Sequence, residues 1–191
     1  MTPALSYTEL KALDPCTDSL RRVAKLMGGA TKWNGKRINA ADARKAGATF
    51  NDIVWAASAI ARTNTDVDRR LRLWLADCAA RVLHIYEREY PADDRVRNTI
   101  VASRQFARGE IGAAAWAAAG AAARAAAWAA ARAAAKAAAW DAAGDAAKAA
   151  AGTAAGAAEG AWQFDRLIEW LGDKEPDDYA LPSAPVKEKV A

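Results

Sequence analysis

The chain has 191 residues, 53% hydrophobic and 26% charged, with 27 Lys and Arg against 23 Asp and Glu and a net charge of +4. That length fits one domain, or one domain with a tail, and it can bury a core without disulfides or metal. Two distant cysteines without a CxxC pair and a single histidine exclude a disulfide scaffold and a zinc finger, and the start MTPALSYTELKALDP has no secretory pattern. Cys16 and Cys78 read as buried small hydrophobes in a reducing compartment, which makes the expected location cytoplasmic. The charge is uneven: residues 1–109 carry nineteen Lys and Arg against twelve Asp and Glu, so the amino-terminal half is the basic one.

In chain order, the first helix signal is LDPCTDSLRRVAKLMGG. Asp14 can cap it, Pro15 takes the first helical position, and Gly28 with Gly29 ends it; Leu20, Val23, Leu26 and Met27 form the face to be buried. A polar turn around TKWNGKR follows. Asn39 can cap a short turn of helix. Thr49, with Asp52 three residues on, opens a helix over 50–63 that buries Ile53, Val54 and Ile60 and keeps Trp55 near its edge. The same Thr-x-x-Asp spacing at Thr65 and Asp68 opens the strongest amphipathic helix, over 66–89. Its apolar residues Val67, Leu71, Trp74, Leu75, Cys78, Val82, Ile85 and Tyr86 follow the i, i+3, i+4, i+7 pattern and predict its core face. Pro91 ends that helix, and ADDRVRNTIVASRQFARG predicts another, with Arg104 and Arg108 near its end and Gly109 as its stop. No run of alternating β-branched residues occurs, so strands are not expected.

From 110 to 151 alanine dominates, and alanine is the best helix former. Within it, GAAAWAAAGAAARAAAWAAARAAAKAAAW (112–140) places a non-alanine residue at every fourth position. Four residues overshoot a helical turn by about 40°, so Trp116, Trp128 and Trp140 point about 120° apart. Such a helix is either surrounded by neighbours or broken. Unbroken from 110 to 170 it would be about 90 Å long, so a break is expected, best at Gly144 with Asp145 capping the next helix; Gly152, Gly156 and Gly160 offer a second place. Its longest uncharged stretch, 111–123, is too short to span a membrane. Trp162, Leu167, Ile168 and Trp170 form a last apolar set before Gly172. The predicted fold is all-α: a compact multi-helix bundle with closely packed alanine-rich helices. One domain is expected over 1–176, made of the basic half 1–109 and the alanine-rich half 110–172, followed by a flexible tail over 177–191.

Catalytic signals are weak. His84 stands alone without a carboxylate or cysteine cluster and reads as a boundary residue, Asp93 with Asp94 as a helix cap, and Asp177 with Asp178 as part of a solvated tail. No phosphate-binding glycine motif occurs, and no catalytic residue, cofactor or metal is expected. One constellation carries chemistry: Trp116, Arg124, Trp128, Arg132, Lys136 and Trp140 form a ladder of cations and aromatics that could stack on bases or grip an anionic ligand. Against this, the tryptophans can fill gaps between alanine helices while the cations snorkel to solvent and keep the tract soluble.

With ELKALDPCTDSL near the start, DRRLRLWLADCAARVLHIYEREYPADDRVRNTIVASRQFARGE in the middle and the alanine tract after it, the chain resembles a family of alanine-rich proteins from tailed phages. The middle and the tract are also similar to the Imm-5-like immunity proteins of bacteria. The resemblance covers about residues 8–160, with Trp where relatives are expected to carry Tyr. It implies a small non-enzymatic accessory or immunity-like protein that sequesters or neutralises a protein partner, such as a toxin or a host defence component, in the host cytoplasm if phage-encoded. The competing reading is a nucleic-acid or nucleotide binder using the basic half and the Trp and Arg positions. An oligomer is compatible with either, and a membrane with neither.

Overall fold

Local capping chemistry decides where several helices begin. The computed structural model describes residues 3–122 and 145–184, the side chains of 145–155 excepted. In chain order the elements are β1 (Ala4–Leu5), α1 (Tyr7–Ala12), α2 (Thr17–Leu26), α3 (Ala30–Asn34), β2 (Ile38–Asn39), α4 (Ala40–Lys45), α5 (Phe50–Ala61), α6 (Thr65–Glu89) and α7 (Arg95–Ala107). Then come α8, described over 113–122, and α9 (Asp145–Trp170). The fold is all-α. Its one departure among the described residues is the antiparallel pair β1–β2, which sets Ala4 against Asn39 and Leu5 against Ile38. Two-residue strands are too short to leave an alternating pattern in sequence.

Two compact units divide the chain: residues up to Leu71 with Phe164–Asp177, and Arg72–Gln163 with the residues from Asp178 onward. The chain passes from the first to the second within α6 and returns within α9.

In the first unit the expected caps at Asn39 and Thr49 form. The Asn39 side chain accepts from the Asp42 amide at 2.8 Å, and Thr49 and Asp52 close a reciprocal capping box. A second box, Ser6 with Glu9, opens α1. At the end of α2, Gly28 (φ 86°) follows the C-cap Met27, and the amides of Gly28 and Gly29 reach back to the carbonyls of Lys25 and Ala24. This Schellman closure needs a residue that tolerates the left-handed region.

Other boundaries differ from expectation. Asp14 does not cap α2; it takes the left-handed turn after α1 (φ 57°), and α2 begins at Thr17 behind Cys16. Cys16 is consequently exposed instead of buried. Leu26 is exposed too, and Ala24 joins Val23 and Met27 inside. The stretch around TKWNGKR is more than a turn, since residues 30–34 form α3 and bury Trp33. Trp33 donates its Nε1–H to the Leu5 carbonyl at 2.9 Å and packs with Leu10, Val23, Ala24 and Met27. Asn64, not Thr65, caps α6: its side chain accepts from the amides of Asp66 and Val67 at 3.1 Å. Arg70 is buried and joins Asp66 at 2.8 Å with the carbonyls of Trp170 (3.0 Å) and Gly172 (2.8 Å). A guanidinium thereby closes the C-terminal end of α9, where the helix dipole favours a cation.

In the second unit Ala76, Ala80, Leu83 and Ile100 make the core, with Val96, Tyr179 and Leu181 packed on it. Asp77 is fully buried and accepts from Arg104 at 2.8 Å and from the Tyr179 amide at 2.9 Å. Arg104 also donates to the Tyr179 carbonyl at 2.6 Å. Arg97 bridges buried Glu87 (2.6 and 2.8 Å) and the Pro182 carbonyl (2.8 Å). Asp178 pairs with Arg108 at 2.5 Å. Residues 178–182, which sequence places in a tail, are thus bonded to α6 and α7 through main-chain groups. Gly109 (φ 75°) ends α7 as expected. The anticipated break at Gly144 lies outside the described residues, and α9 runs unbroken through Gly152, Gly156 and Gly160.

Candidate partner-binding face

Of the expected ladder, Trp116 is described; Arg124, Trp128, Arg132, Lys136 and Trp140 lie outside the described residues. The Trp116 ring stacks on Phe106 at 4.9 Å between centroids and 10° between planes, and its Nε1–H donates to Ser103 Oγ at 3.2 Å. The Arg72 guanidinium lies 5.2 Å from the Phe106 ring and 5.3 Å from that of Trp116. Thr99 fastens α8 further by donating to the Ala119 carbonyl at 2.8 Å. Trp116 therefore packs α8 onto its neighbours, and its stacking partner is Phe106.

α6 is rotated relative to its hydrophobic pattern. Val67 and Trp74 are buried as expected, but Leu75, Val82 and Ile85 are 57%, 38% and 50% exposed. Leu73, Ala76, Asp77, Ala80, Leu83 and Glu87 are buried in their place. The reason is chemical: the inward face carries Asp77 and Glu87, each neutralised by an arginine of α7, so its hydropathy is that of a solvated face. Several of the pattern's apolar residues are thereby left outside. Positions 75, 78, 82 and 85 share one helical face at spacings of three and four, with half-buried Cys78 between the exposed residues. Three large apolar side chains in line on one face are unlike the single scattered exposures of ordinary surfaces. His84, Arg88 and Glu89 are exposed beside them, so the margin of the face carries both signs of charge.

The turn after α6 holds a tyrosine, an aspartate and an arginine in one hydrogen-bonded cluster. Tyr86 donates its hydroxyl proton to Asp93 at 2.8 Å, and Arg95 grips the same carboxylate through Nε at 2.8 Å and its own amide at 3.0 Å. Arg95 holds Asp93 well below the usual carboxylate range, while burial and then the Asp93 bond push Tyr86 up to about 12. An unfolded tyrosine ionises near 10. The stabilisation from Tyr86 is therefore complete below about pH 10 and lost as pH rises toward 12. Tyrosinate absorbance in an alkaline titration should include a late step that Tyr86→Phe removes; a wild-type titration without it would break the assignment.

His84 is exposed, with Nδ1 3.0 Å from the Arg81 carbonyl, and it approaches no catalytic group. Asp93 caps α7 through the Arg95 amide, whereas the Asp94 side chain makes no cap bond. Among the described residues no group of three or more His, Cys, Asp or Glu could hold a metal ion, and no helix is long and apolar enough to cross a membrane.

The model of the family described as "Imm-5 like putative immunity protein" matches residues 61–158. The chain belongs to this Imm-5-like family. The match takes in all of α6 and α7 and the described part of α8, and with them the outward stripe of Leu75, Val82 and Ile85. No curated protein and no solved structure matches the chain. Sequence had signalled the stripe residues only as core; nothing in their spacing distinguishes a helix face turned inward from one turned outward.

Proposed function

We propose that this Imm-5-like protein binds and neutralises a protein partner by stoichiometric association, and that Leu75, Val82 and Ile85 form the apolar centre of its docking face. The supporting observation is that an outward apolar stripe lies within the residues matched to an immunity family. The stripe suits an amphipathic helix or a shallow apolar groove, and exposed Arg88 and Glu89 at its end offer charge pairs of either sign to the partner's rim. The resemblance to tailed-phage proteins extends the reading to a phage-encoded accessory protein that sequesters a toxin or a host defence component in the cytoplasm.

Nucleic acid is the weaker reading because the basic half spends much of its charge internally. Arg22, Arg37, Arg69, Arg70, Arg97 and Arg104 are all ion-paired with carboxylates of the same chain.

The test is protection of bacteria expressing a panel of toxins and phage-defence effectors. Where the wild-type chain protects, the Leu75→Asp/Ile85→Asp double variant should lose protection and bind the purified effector on the order of 100-fold more weakly, as for a disrupted hot spot. Its circular dichroism should not change, because both residues are exposed. Undiminished protection by the folded double variant would remove α6 from the interface. Protection from no effector, with a strongly salt-dependent shift on DNA or RNA, would favour the nucleic-acid reading.

A further inference from the structure

The first unit contains a cavity of about 380 Å³ built wholly from residues outside the Imm-5-like match. Its walls are mostly apolar and include Leu10, Val23, Trp33, Ile38, Ile53 and Ile60. Small residues keep it open: Ala40, Ala43, Ala48, Ala56 and Ala57 stand in the wall, where leucine would advance into the space. Val23, Trp33 and Ile53 are also core residues, less than a tenth exposed, so the wall is held in place by packing and does not depend on an occupant.

Polar groups collect where two helices begin. Cys16 and Ser19 at the head of α2, and Asn51 and Asp52 at the head of α5, all border the space. Arg22, midway along α2, pairs with Asp52 at the head of α5, and Cys16 donates its Sγ–H to Ser19 Oγ at 3.0 Å. Cys16, Asn51 and Trp55 are the exposed lining residues, which places the mouth beside the heads of α2 and α5, with polar groups and one tryptophan at its rim.

Size sets the class of occupant. A dry apolar cavity of about 150 Å³ accepts benzene, and pockets for small molecules begin at about 300 Å³. Apolar walls with a few polar groups at one end suit a molecule whose body is hydrocarbon and whose single polar group faces outward. We propose that this cavity binds a small, mostly apolar molecule of bicyclic-aromatic or medium-chain size, its body against Trp33, Ile38 and Ile53 and its polar group beside Cys16, Ser19 and Asn51.

The experiment uses the full chain with 1-naphthol and 1-decanol as probes, followed by calorimetry and thermal unfolding. At least one probe should bind saturably at one site and raise the melting temperature progressively with concentration. Ala56→Leu, which fills the space, should weaken that binding at least tenfold. A measurement on the unaltered chain covers the case in which Ala56→Leu does not fold: bound probe should slow alkylation of Cys16 by N-ethylmaleimide several-fold, read by mass spectrometry, and leave Cys78 unaffected. Absence of saturable binding by both probes, wild-type affinity in folded Ala56→Leu, or unchanged Cys16 alkylation at saturation would each overturn the proposal. Leu75→Asp/Ile85→Asp should bind the probe like wild type, so this site and the α6 docking face stand or fall separately.

Discussion

Asp77→Ala should lower stability by about 3 to 5 kcal/mol in urea unfolding, the range for removing one partner of a buried ion pair. Asp77 has no exposed surface and answers both Arg104 and the Tyr179 amide. Its removal leaves the guanidinium with the Tyr179 carbonyl and a longer 3.6 Å approach to Asp178, and takes from the half-buried Tyr179 amide its acceptor. The damage should concentrate on residues 178–182, whose main chain depends on Asp77, Arg104 and Arg97. Hydrogen exchange at Tyr179 should therefore accelerate before that of the α7 interior. Replacing both partners with apolar residues, Asp77→Leu with Arg104→Met, should recover a large part of the loss, because the desolvation cost disappears together with the attraction. A loss below about 1 kcal/mol for Asp77→Ala would mean that the pair is solvated.

That pair also explains which parts of the molecule were legible in sequence. Asn39, the Thr49–Asp52 box, Gly28 and Gly109 were readable because each acts through its own backbone or a neighbour three residues away. Ser6 with Glu9 carries the same signal, but the six-residue α1 has no periodic run behind it. α3 left no pattern at all, although Trp33 is central to its core. The orientation of α6 was not legible, since only the fold brings Arg104 and Arg97 against Asp77 and Glu87 and makes charged positions buriable. Asp178, Tyr179 and Leu181 read as tail for the same reason: their partners are distant in sequence. Of the candidate site, the spacing marks Trp116 and admits both packing and recognition, but its contacts with Phe106, Ser103 and Arg72 come from other helices and leave no trace in that spacing.

The rotation of α6 is tested most directly by two leucines two residues apart. Leu73, which the hydrophobic pattern omits, is 1% exposed; Leu75, which the pattern places in the core, is 57% exposed. Leu73→Ala should cost about 2 to 5 kcal/mol, the transfer term plus the void left in a packed interior. Leu75→Ala should change stability by no more than about 0.5 kcal/mol, because its side chain gives up little buried area and alanine is the better helix former. Residue type, substitution and helix are the same in both, so propensity and unfolded-state effects largely cancel and the difference reports burial. Equal costs at the two positions would mean that Leu75 is covered in the folded chain. The stripe formed with Val82 and Ile85 would then be core, and no partner could reach it. A large loss at Leu73 with none at Leu75 leaves an apolar surface that folding does not use, which is what an interface requires.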